Sequence, residues 1–319
     1  MKKLAIIVPG YNCEAYIQKC LNSILNQKYQ DFTVFFVDDG STDSTRKIVT
    51  AIKDERLIYI YQLNAGVSAA RNNGLVASKD YEYVMFVDAD DWIEKDSLAT
   101  IADCVNKSGN ADYILFDWNE YRDANGEKEP VHCKMNDDFK DNFTLESILK
   151  HLARSRTGGS PWGKVFRNEI ILNNNLRFIE GLPYAEDYLF NISFLQNAKN
   201  VNYYPITIYG YNCTHIGARA KFRKNLIDIY IQIEREKIRL YSAIYNEYSD
   251  MLLAEQLEQM TIALRNLGHT SFSHKERELE RAKVKDFFNE QNIGIRKLIK
   301  SNTNIKVKAY VLLFLLSKN

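Results

Sequence analysis

Short apolar runs alternate along the first 90 residues with longer stretches in which apolar residues recur every three or four positions. The runs are LAIIV, TVFFV, LIYIY and YVMFV, at residues 4–8, 33–37, 57–61 and 83–87. The helical spacing falls between them, at residues 14–27, 44–54 and 66–77. Strands that are apolar on both faces and alternate with helices predict a mostly parallel sheet flanked by helices. In such sheets ligands bind beyond the carboxyl ends of the strands.

The pattern loosens after residue 92. We predict strands over residues 111–118 and 206–212, helices over residues 145–153 and 186–198, a polar turn over residues 123–130 and a loop entering a short strand over residues 160–166. From about residue 222, apolar residues recur at helical spacing. The chain therefore divides into an α/β domain over residues 1–215 and a helical C-terminal region over residues 216–319.

Composition excludes several classes of protein. The 319 residues are 45% hydrophobic and 26% charged, as in a soluble globular protein, and the net charge of +1 argues against a nucleic-acid partner. From residue 215 onward there are 19 Lys and Arg against 12 Asp and Glu, a net charge of +7, which leaves −6 for residues 1–214. Five scattered cysteines without a CxxC pair, and no signal peptide, predict reduced thiols in a cytoplasm.

The C-terminal tail is both basic and apolar. After Glu290 it has six Lys and Arg and no acidic residue, and its longest apolar run, AYVLLFLL, is too short to span a bilayer. Such a tail could lie on an anionic membrane surface. The alternative is a terminal helix packed on the body of the protein or on a dimer partner.

Carboxylates gather where the predicted strands end. Asp88, Asp90 and Asp91 follow the fourth run, and hard oxygen ligands of this kind suit Mg²⁺ or Mn²⁺. The alternative is a turn with an N-cap for a helix beginning near Asp96. In VDDGSTD, residues 37–43, Gly40 permits a tight turn, and an Asp could accept a hydrogen bond from a base or a ribose hydroxyl. The absence of GxGxxG after a strand and of GxxxxGK[ST] argues against a dinucleotide fold and a P-loop NTPase.

Four motifs in order resemble a known family. The stretch IIVPGYN to VDDGSTDST at residues 6–45, NAGVSAARNNG at residues 64–74, VDADDW at residues 87–92 and, more loosely, PYAEDYLF at residues 183–190 are similar to glycosyltransferase family 2. Gly10 departs from the family pattern, which has a bulkier residue there. The resemblance implies a GT-A nucleotide-sugar-binding, Rossmann-like fold, with a donor half at residues 1–118 and an acceptor half at residues 119–215.

The resemblance also implies the residues that bind the donor and the metal. It places the nucleotide against Pro9, Tyr11 and Glu14, and the uracil on Asp38, which Asp39 supports. The base and ribose would lie beside Asn64 and Arg71. The ribose and the ion would lie against Asp88, Ala89 and Asp90. Asp90 is the implied direct ligand of Mn²⁺ or Mg²⁺. His215 could add a nitrogen ligand and Arg219 could bind the diphosphate, although a lone histidine is more often structural. Without the resemblance, Arg71 would be read as a solvated helix residue.

The acid pair Glu186 and Asp187 is the implied catalytic group. Asp187 would be the general base that deprotonates the acceptor hydroxyl, and Glu186 would orient the base or the acceptor. The alternative is that acids in the first turn of a helix are favoured by its dipole alone. We predict three residues on the acceptor side: Asp91, Trp162 and Lys164. Trp162 would either stack on an acceptor sugar or be a buried anchor, and Lys164 would either contact a phosphate or lie at the surface.

The resemblance implies an inverting, metal-dependent glycosyltransferase. It would move a hexose or N-acetylhexosamine from a UDP-sugar to a hydroxyl of a glycan or lipid-linked acceptor in cell-surface polysaccharide synthesis. It would act in the cytoplasm, at the inner face of the membrane. The alternatives are a nucleotidyltransferase, a module that binds a sugar nucleotide without turnover, and a sugar-nucleotide hydrolase that needs no acceptor.

Overall fold

The computed structural model describes residues 4–109, 111–122, 129–134, 144–145, 147–148, 159–214, 223–242, 249–301 and 303–316. The chain forms two compact units, Met1–Arg219 and Ala220–Asn319. Most of the predicted helix at residues 145–153 and of the predicted polar turn at residues 123–130 lies outside the described residues.

The first unit begins with the predicted alternation of strands and helices. Its elements are β1 (Leu4–Gly10), α1 (Ile17–Leu25), β2 (Phe32–Asp38), α2 (Thr45–Ala51), β3 (Leu57–Tyr61), α3 (Val67–Ala77) and β4 (Tyr83–Phe86). All seven residues of β1 are buried, because β2 and β4 flank it in the sheet and α3 packs against it. The apolar runs at β1, β2 and β4 therefore mark strands covered on both faces, as predicted. The run at β3 does not: β3 lies at the end of the strand order and is only partly buried.

The second half of this unit extends the same sheet. It contains β5 (Trp92–Ile93), α4 (Ser97–Lys107), β6 (Tyr113–Tyr121), β7 (Val131–Cys133), β8 (Lys164–Arg167), α5 (Asn168–Asn173), α6 (Glu186–Leu195) and β9 (Val201–Asn212). The strand order is β3-β2-β1-β4-β8-β6-β9-β5, with β7 paired to β6. Pairing is parallel among β1 to β4 and between β6 and β9, whereas β8, β5 and β7 pair antiparallel.

Two glycines permit close packing behind the strand ends. A Cβ on Gly74 of α3 would lie 2.4 Å from Ile7, so α3 could not lie so close to β1 with a larger residue there. A Cβ on Gly10 would lie 2.5 Å from the ring of Phe36. The departure from the family pattern at Gly10 therefore accommodates the neighbouring Phe36 ring, as expected for a local packing effect.

The second unit is helical, as predicted. It contains α7 (Leu226–Ser242), α8 (Ser249–Asn266), α9 (His274–Glu290), α10 (Ile295–Lys300) and α11 (Ile305–Leu316). Buried residues of all five helices form one apolar cluster that includes Leu257, Met260, Phe287, Leu298 and Phe314. Within the described part of the chain, no helix has the length and apolar character needed to cross a membrane.

Candidate active site

A cavity of about 400 Å³ lies where β1, β2 and β4 end. Because these strands are parallel neighbours, the segments that follow them meet at one edge of the sheet. Seven of the predicted donor-site residues line it: Pro9, Tyr11, Asp39, Arg71, Asp88, Ala89 and Asp90. The sequence analysis missed six further lining residues: Gly10, Asn12, Cys13, Tyr16, Val67 and Ala70. Their only signal was their position between the end of β1 and the start of α1, or in the first turn of α3.

The two aspartates after β2 have different surroundings. Asp38 is fully buried, and its carboxylate accepts hydrogen bonds from the Ser41 amide (2.8 Å) and the Tyr59 hydroxyl (2.6 Å). Asp39 lines the cavity and accepts hydrogen bonds from the amides of Ala65 and Gly66 at the start of α3. The structure therefore corrects the prediction that Asp38 contacts the base: Asp38 holds the turn after β2, and Asp39 is the carboxylate at the cavity.

Glu14 and Asn64 lie at the edge of this region and do not line the cavity. The Glu14 carboxylate accepts a hydrogen bond from the Ser44 amide (2.8 Å), which connects the loop after β1 to the loop after β2. Asn64 donates from its side chain to the Asp39 carbonyl oxygen (3.0 Å). In this structure both residues stabilise the loops around the cavity.

The three carboxylates of DADD have separate partners. Asp88 forms an ion pair with Arg71 (2.9 Å), and Asp91 accepts from the Tyr209 hydroxyl (2.6 Å) and the Asn212 amide (2.8 Å). Asp90 is half-buried and lines the cavity. The pKa of Asp91 is raised well above its ordinary value, mainly because the carboxyl is buried and secondly because the charges of Asp88 and Asp90 are near. Since Asp91 is only 1% exposed, its predicted role at the acceptor is corrected to an internal tie between β4 and β9.

Arg71 connects the cavity to the acid pair. Its guanidinium binds Asp88 through Nη2 and Glu186 through Nη1 (3.1 Å), and the side chain is buried. Burial alone would lower the pKa of Arg71, but the carboxylates of Asp88 and Glu186 outweigh it and raise the pKa. Arg71 is therefore a charged residue inside the site, and the alternative of a solvated helix residue is wrong.

Glu186 and Asp187 form the first turn of α6. The residue before them, Ala185, has a φ of 68°, a left-handed conformation that is uncommon for a residue with a Cβ. Burial and the charge of Asp187 raise the pKa of Glu186, and Arg71 opposes this rise. Asp187 is half-buried, and its Oδ1 accepts a hydrogen bond from the Tyr188 amide (2.7 Å). The two acids differ: Glu186 is paired with Arg71, and Asp187 is the more accessible carboxylate.

Trp162 is buried in an aromatic stack. Its ring lies parallel to Tyr209 at 4.7 Å between centroids, with Tyr211 at 5.2 Å, and the residue is 4% exposed. The structure therefore supports the buried anchor and not the ring that stacks on an acceptor sugar.

Lys164 is completely buried, which neither of its predicted roles anticipated. Its ammonium donates to the carbonyl oxygens of Ser160 and Trp162, and burial lowers its pKa to about 7. Asn191 of α6 donates to the same Ser160 carbonyl and to those of Gly159 and Asp187. Together Lys164 and Asn191 fix the loop at residues 159–163 against the helix that carries the acid pair. His215 and Arg219 lie outside the described residues.

Residues 5–171, more than half of the chain, match the family model described as Glycosyl transferase family 2. The chain belongs to glycosyltransferase family 2. The resemblance in the four sequence motifs is thereby confirmed, and the cavity lies within the matched region together with Arg71.

Relatives of this family 2 chain include two curated enzymes. Glycosyltransferase GlyA of Streptococcus pneumoniae is 33% identical over 216 residues, 66% of this chain and 30% of GlyA. Poly(ribitol-phosphate) beta-N-acetylglucosaminyltransferase TarS of Staphylococcus aureus is 29% identical over 265 residues, 81% of this chain and 44% of TarS. The matches therefore span less than half of either relative's length.

A solved structure resembles this family 2 chain over most of its length. The crystal structure of S. aureus TarS residues 1–349 in complex with UDP-GlcNAc has a TM-score of 0.70 and 26% identity. The similarity covers 94% of this chain and 84% of that one. The predicted GT-A fold is confirmed by this similarity.

Enzymes of family 2 commonly use a divalent metal ion. Within the described ranges, no group of three His, Cys, Asp or Glu side chains could hold one. The three carboxylates of DADD do not converge on one point: Asp88 binds Arg71, Asp91 accepts from Tyr209, and Asp90 lines the cavity. This arrangement fits an ion such as Mg²⁺, which typically takes one or two carboxylates and completes its shell with phosphate oxygens and water.

Proposed function

We propose that this chain is an inverting glycosyltransferase that takes a hexose or N-acetylhexosamine from a UDP-sugar. The observation that carries the proposal is the cavity at the strand ends, in which Asp39, Asp88 and Asp90 lie within a domain of family 2. TarS, whose fold this chain shares, was crystallised with UDP-GlcNAc. A relative that acts on poly(ribitol phosphate) supports a cell-surface polymer or a lipid-linked glycan as the acceptor.

Each group at the site has a proposed task. Asp90 would hold Mn²⁺ or Mg²⁺, with Asp88 beside it. The ion would supply positive charge against the diphosphate that departs. Asp187 would accept the proton of the acceptor hydroxyl, which attacks the anomeric carbon. Arg71 would keep Asp88 and Glu186 in fixed positions, since it binds both through one rigid guanidinium.

The same proposal divides the chain by role. Residues 1–118 would bind the donor, residues 119–215 the acceptor, and the helical residues 216–319 a membrane or a second copy of the chain. His215 and Arg219 keep their proposed roles at the metal and the diphosphate. The enzyme would act in the cytoplasm, where its five scattered cysteines without a CxxC pair would remain reduced.

UDP release tests the proposal. A panel of UDP-sugars is supplied with Mn²⁺ and a poly(ribitol phosphate) acceptor, with and without EDTA, to the wild type and to Asp90→Ala and Asp187→Asn. One sugar should be turned over, EDTA and Asp90→Ala should abolish the reaction, and Asp187→Asn should lower kcat by about 10²-fold or more while UDP still binds. Asp80→Asn, at an exposed position, is the control and should keep full activity.

Three results would contradict the proposal. Release of free sugar at the same rate with and without any acceptor would make the chain a hydrolase. Formation of the sugar nucleotide from a sugar phosphate would make it a nucleotidyltransferase. Binding of a UDP-sugar without any turnover would make it a binding module.

A further inference from the structure

The last helix, α11, is apolar on two opposite faces. Val311 and Phe314 are buried in the core cluster of the second unit, whereas Ile305, Leu313 and Leu316 are 79%, 70% and 62% exposed. At about 100° per residue, these three exposed residues fall within one side of the helix, opposite the buried side. An ordinary surface helix would have polar residues there.

The neighbouring α10 also has exposed apolar side chains. Ile295 and Ile299 are 42% and 64% exposed, while Leu298 between them is buried. Lys308 of α11 donates to the Ile299 carbonyl oxygen (2.8 Å), which holds the end of α10 beside α11. We call Ile295, Ile299, Ile305, Leu313 and Leu316 the α10–α11 patch.

The segment that carries the patch has charges of one sign. Residues 291–316 contain five basic residues and no Asp or Glu; the basic residues are Arg296, Lys297, Lys300, Lys306 and Lys308. Lysines beside an apolar stripe can extend along it and place their ammonium groups among phosphates at a membrane surface. A symmetric contact with a second copy would instead bring two such basic surfaces together, and like charges repel.

We infer that the α10–α11 patch binds the surface of an anionic lipid bilayer. The apolar side chains enter the boundary between headgroups and acyl chains, and the basic residues bind the headgroups. Because α11 has only 12 residues, the helix lies in the surface and does not cross the bilayer. The inference deepens the proposed function and rests on it for the reason why the enzyme needs a membrane, namely a lipid-linked acceptor.

Vesicle sedimentation of the full chain tests the inference. Vesicles of phosphatidylglycerol are compared with vesicles of phosphatidylcholine, using the wild type, Leu313→Ser/Leu316→Ser and Lys300→Glu/Lys306→Glu. The wild type should bind only the anionic vesicles, less tightly as salt increases, and each double variant should bind at least tenfold more weakly. Leu63→Ser, at a position 81% exposed in the other unit, is the matched control and should bind as the wild type does.

The outcomes separate this inference from the proposed function. UDP release with a water-soluble acceptor should be the same in the wild type and in both double variants, because the patch lies outside the active site. If the wild type binds anionic vesicles but releases no UDP, the proposed function is contradicted and the inference is not. Absence of binding to anionic vesicles, or equal binding by all variants, would overturn the inference. So would a wild-type dimer that Leu313→Ser/Leu316→Ser converts to monomer, since the patch would then join two copies. The charge variant keeps the test valid should the serine variant fail to fold.

Discussion

The two units of this chain each bury a lysine, and they satisfy it differently. Lys237 of the helical unit is 4% exposed and binds the carboxylates of Glu234 (3.0 Å) and Glu255 (2.8 Å), so that its pKa is raised although burial opposes this. Lys164 of the sheet unit is completely buried and donates to two backbone carbonyls, and its pKa falls to about 7. Both lysines are almost or completely buried, so the partners decide whether the buried lysine keeps its charge.

Removing the charge at Lys237 should have the largest effect on stability. Lys237→Met leaves Glu234, which is also buried, without its countercharge, and we expect a loss of about 3–5 kcal/mol in the free energy of unfolding, measured in urea. Arg239→Met removes an exposed partner of Glu236 and should cost less than about 1 kcal/mol. Equal losses in both variants would mean that the buried cluster is not an ionic one.

Removing the polar contacts near Lys164 should cost somewhat less. Asn191 is fully buried, accepts from the Tyr113 hydroxyl (2.6 Å) and donates to three carbonyls. Asn191→Leu has a similar volume but leaves these groups unpaired, and we expect a loss of about 3 kcal/mol in urea unfolding. Asn197→Leu, which loses one bond to Ser193 near the end of the same helix, is the control. A neutral Asn191→Leu would show that the neutral hydrogen bonds of the sheet unit contribute little.

The smallest expected effect is the pH dependence of stability that Lys164 contributes, and it tests directly whether this lysine is neutral in the folded protein. The pKa of Lys164 is about 7 in the folded protein and 10.5 in an exposed lysine, so between these values the unfolded chain binds a proton that the folded chain lacks. Stability contributed through this group therefore rises with pH from 7 toward 10.5, by at most about 1.4 kcal/mol per pH unit. Well below pH 7 the folded and unfolded chains both hold this proton, so Lys164 no longer makes the free energy of unfolding depend on pH.

Urea unfolding of the wild type and Lys164→Met at pH 7, 8 and 9 measures this slope. We expect the wild type to gain about 2 kcal/mol relative to Lys164→Met across this range. Lys300→Met, at an exposed position, should keep the wild-type slope. Identical slopes in the wild type and Lys164→Met would show that Lys164 keeps its proton in the fold, as Lys237 does.

Much of the donor side could be predicted from local pattern. The apolar runs mark β1 to β4, and the polar segments that follow β1, β2 and β4 meet at one cavity because parallel neighbours end at the same edge. What the pattern could not decide was which of Asp38 and Asp39 faces the cavity. Consecutive side chains at a strand end point in opposite directions, and the orientation is set by the sheet and the turn together.

On the acceptor side the sequence supplied residue types without their surroundings. Trp162 and Lys164 lie in a short loop and strand with no periodic pattern around them, so exposure could not be read from their neighbours. Both are buried because β8 lies inside the sheet, between β4 and β6. A tryptophan and a lysine in a central strand region therefore serve packing and loop fixation in this structure.

The sequence by itself determined the alternation of strands and helices from β1 to β4, the edge of the sheet that carries the acids, and the family. These follow from spacing over a few residues, where the periods of helix and strand and the ends of apolar runs are visible. Only the tertiary structure decided that Arg71 joins Asp88 to Glu186, 115 residues away, and that Tyr209 ties Asp91 across 118 residues. Such partners are chosen by strand order and register, which no local pattern contains, because many distant residues of the right type compete for each charge.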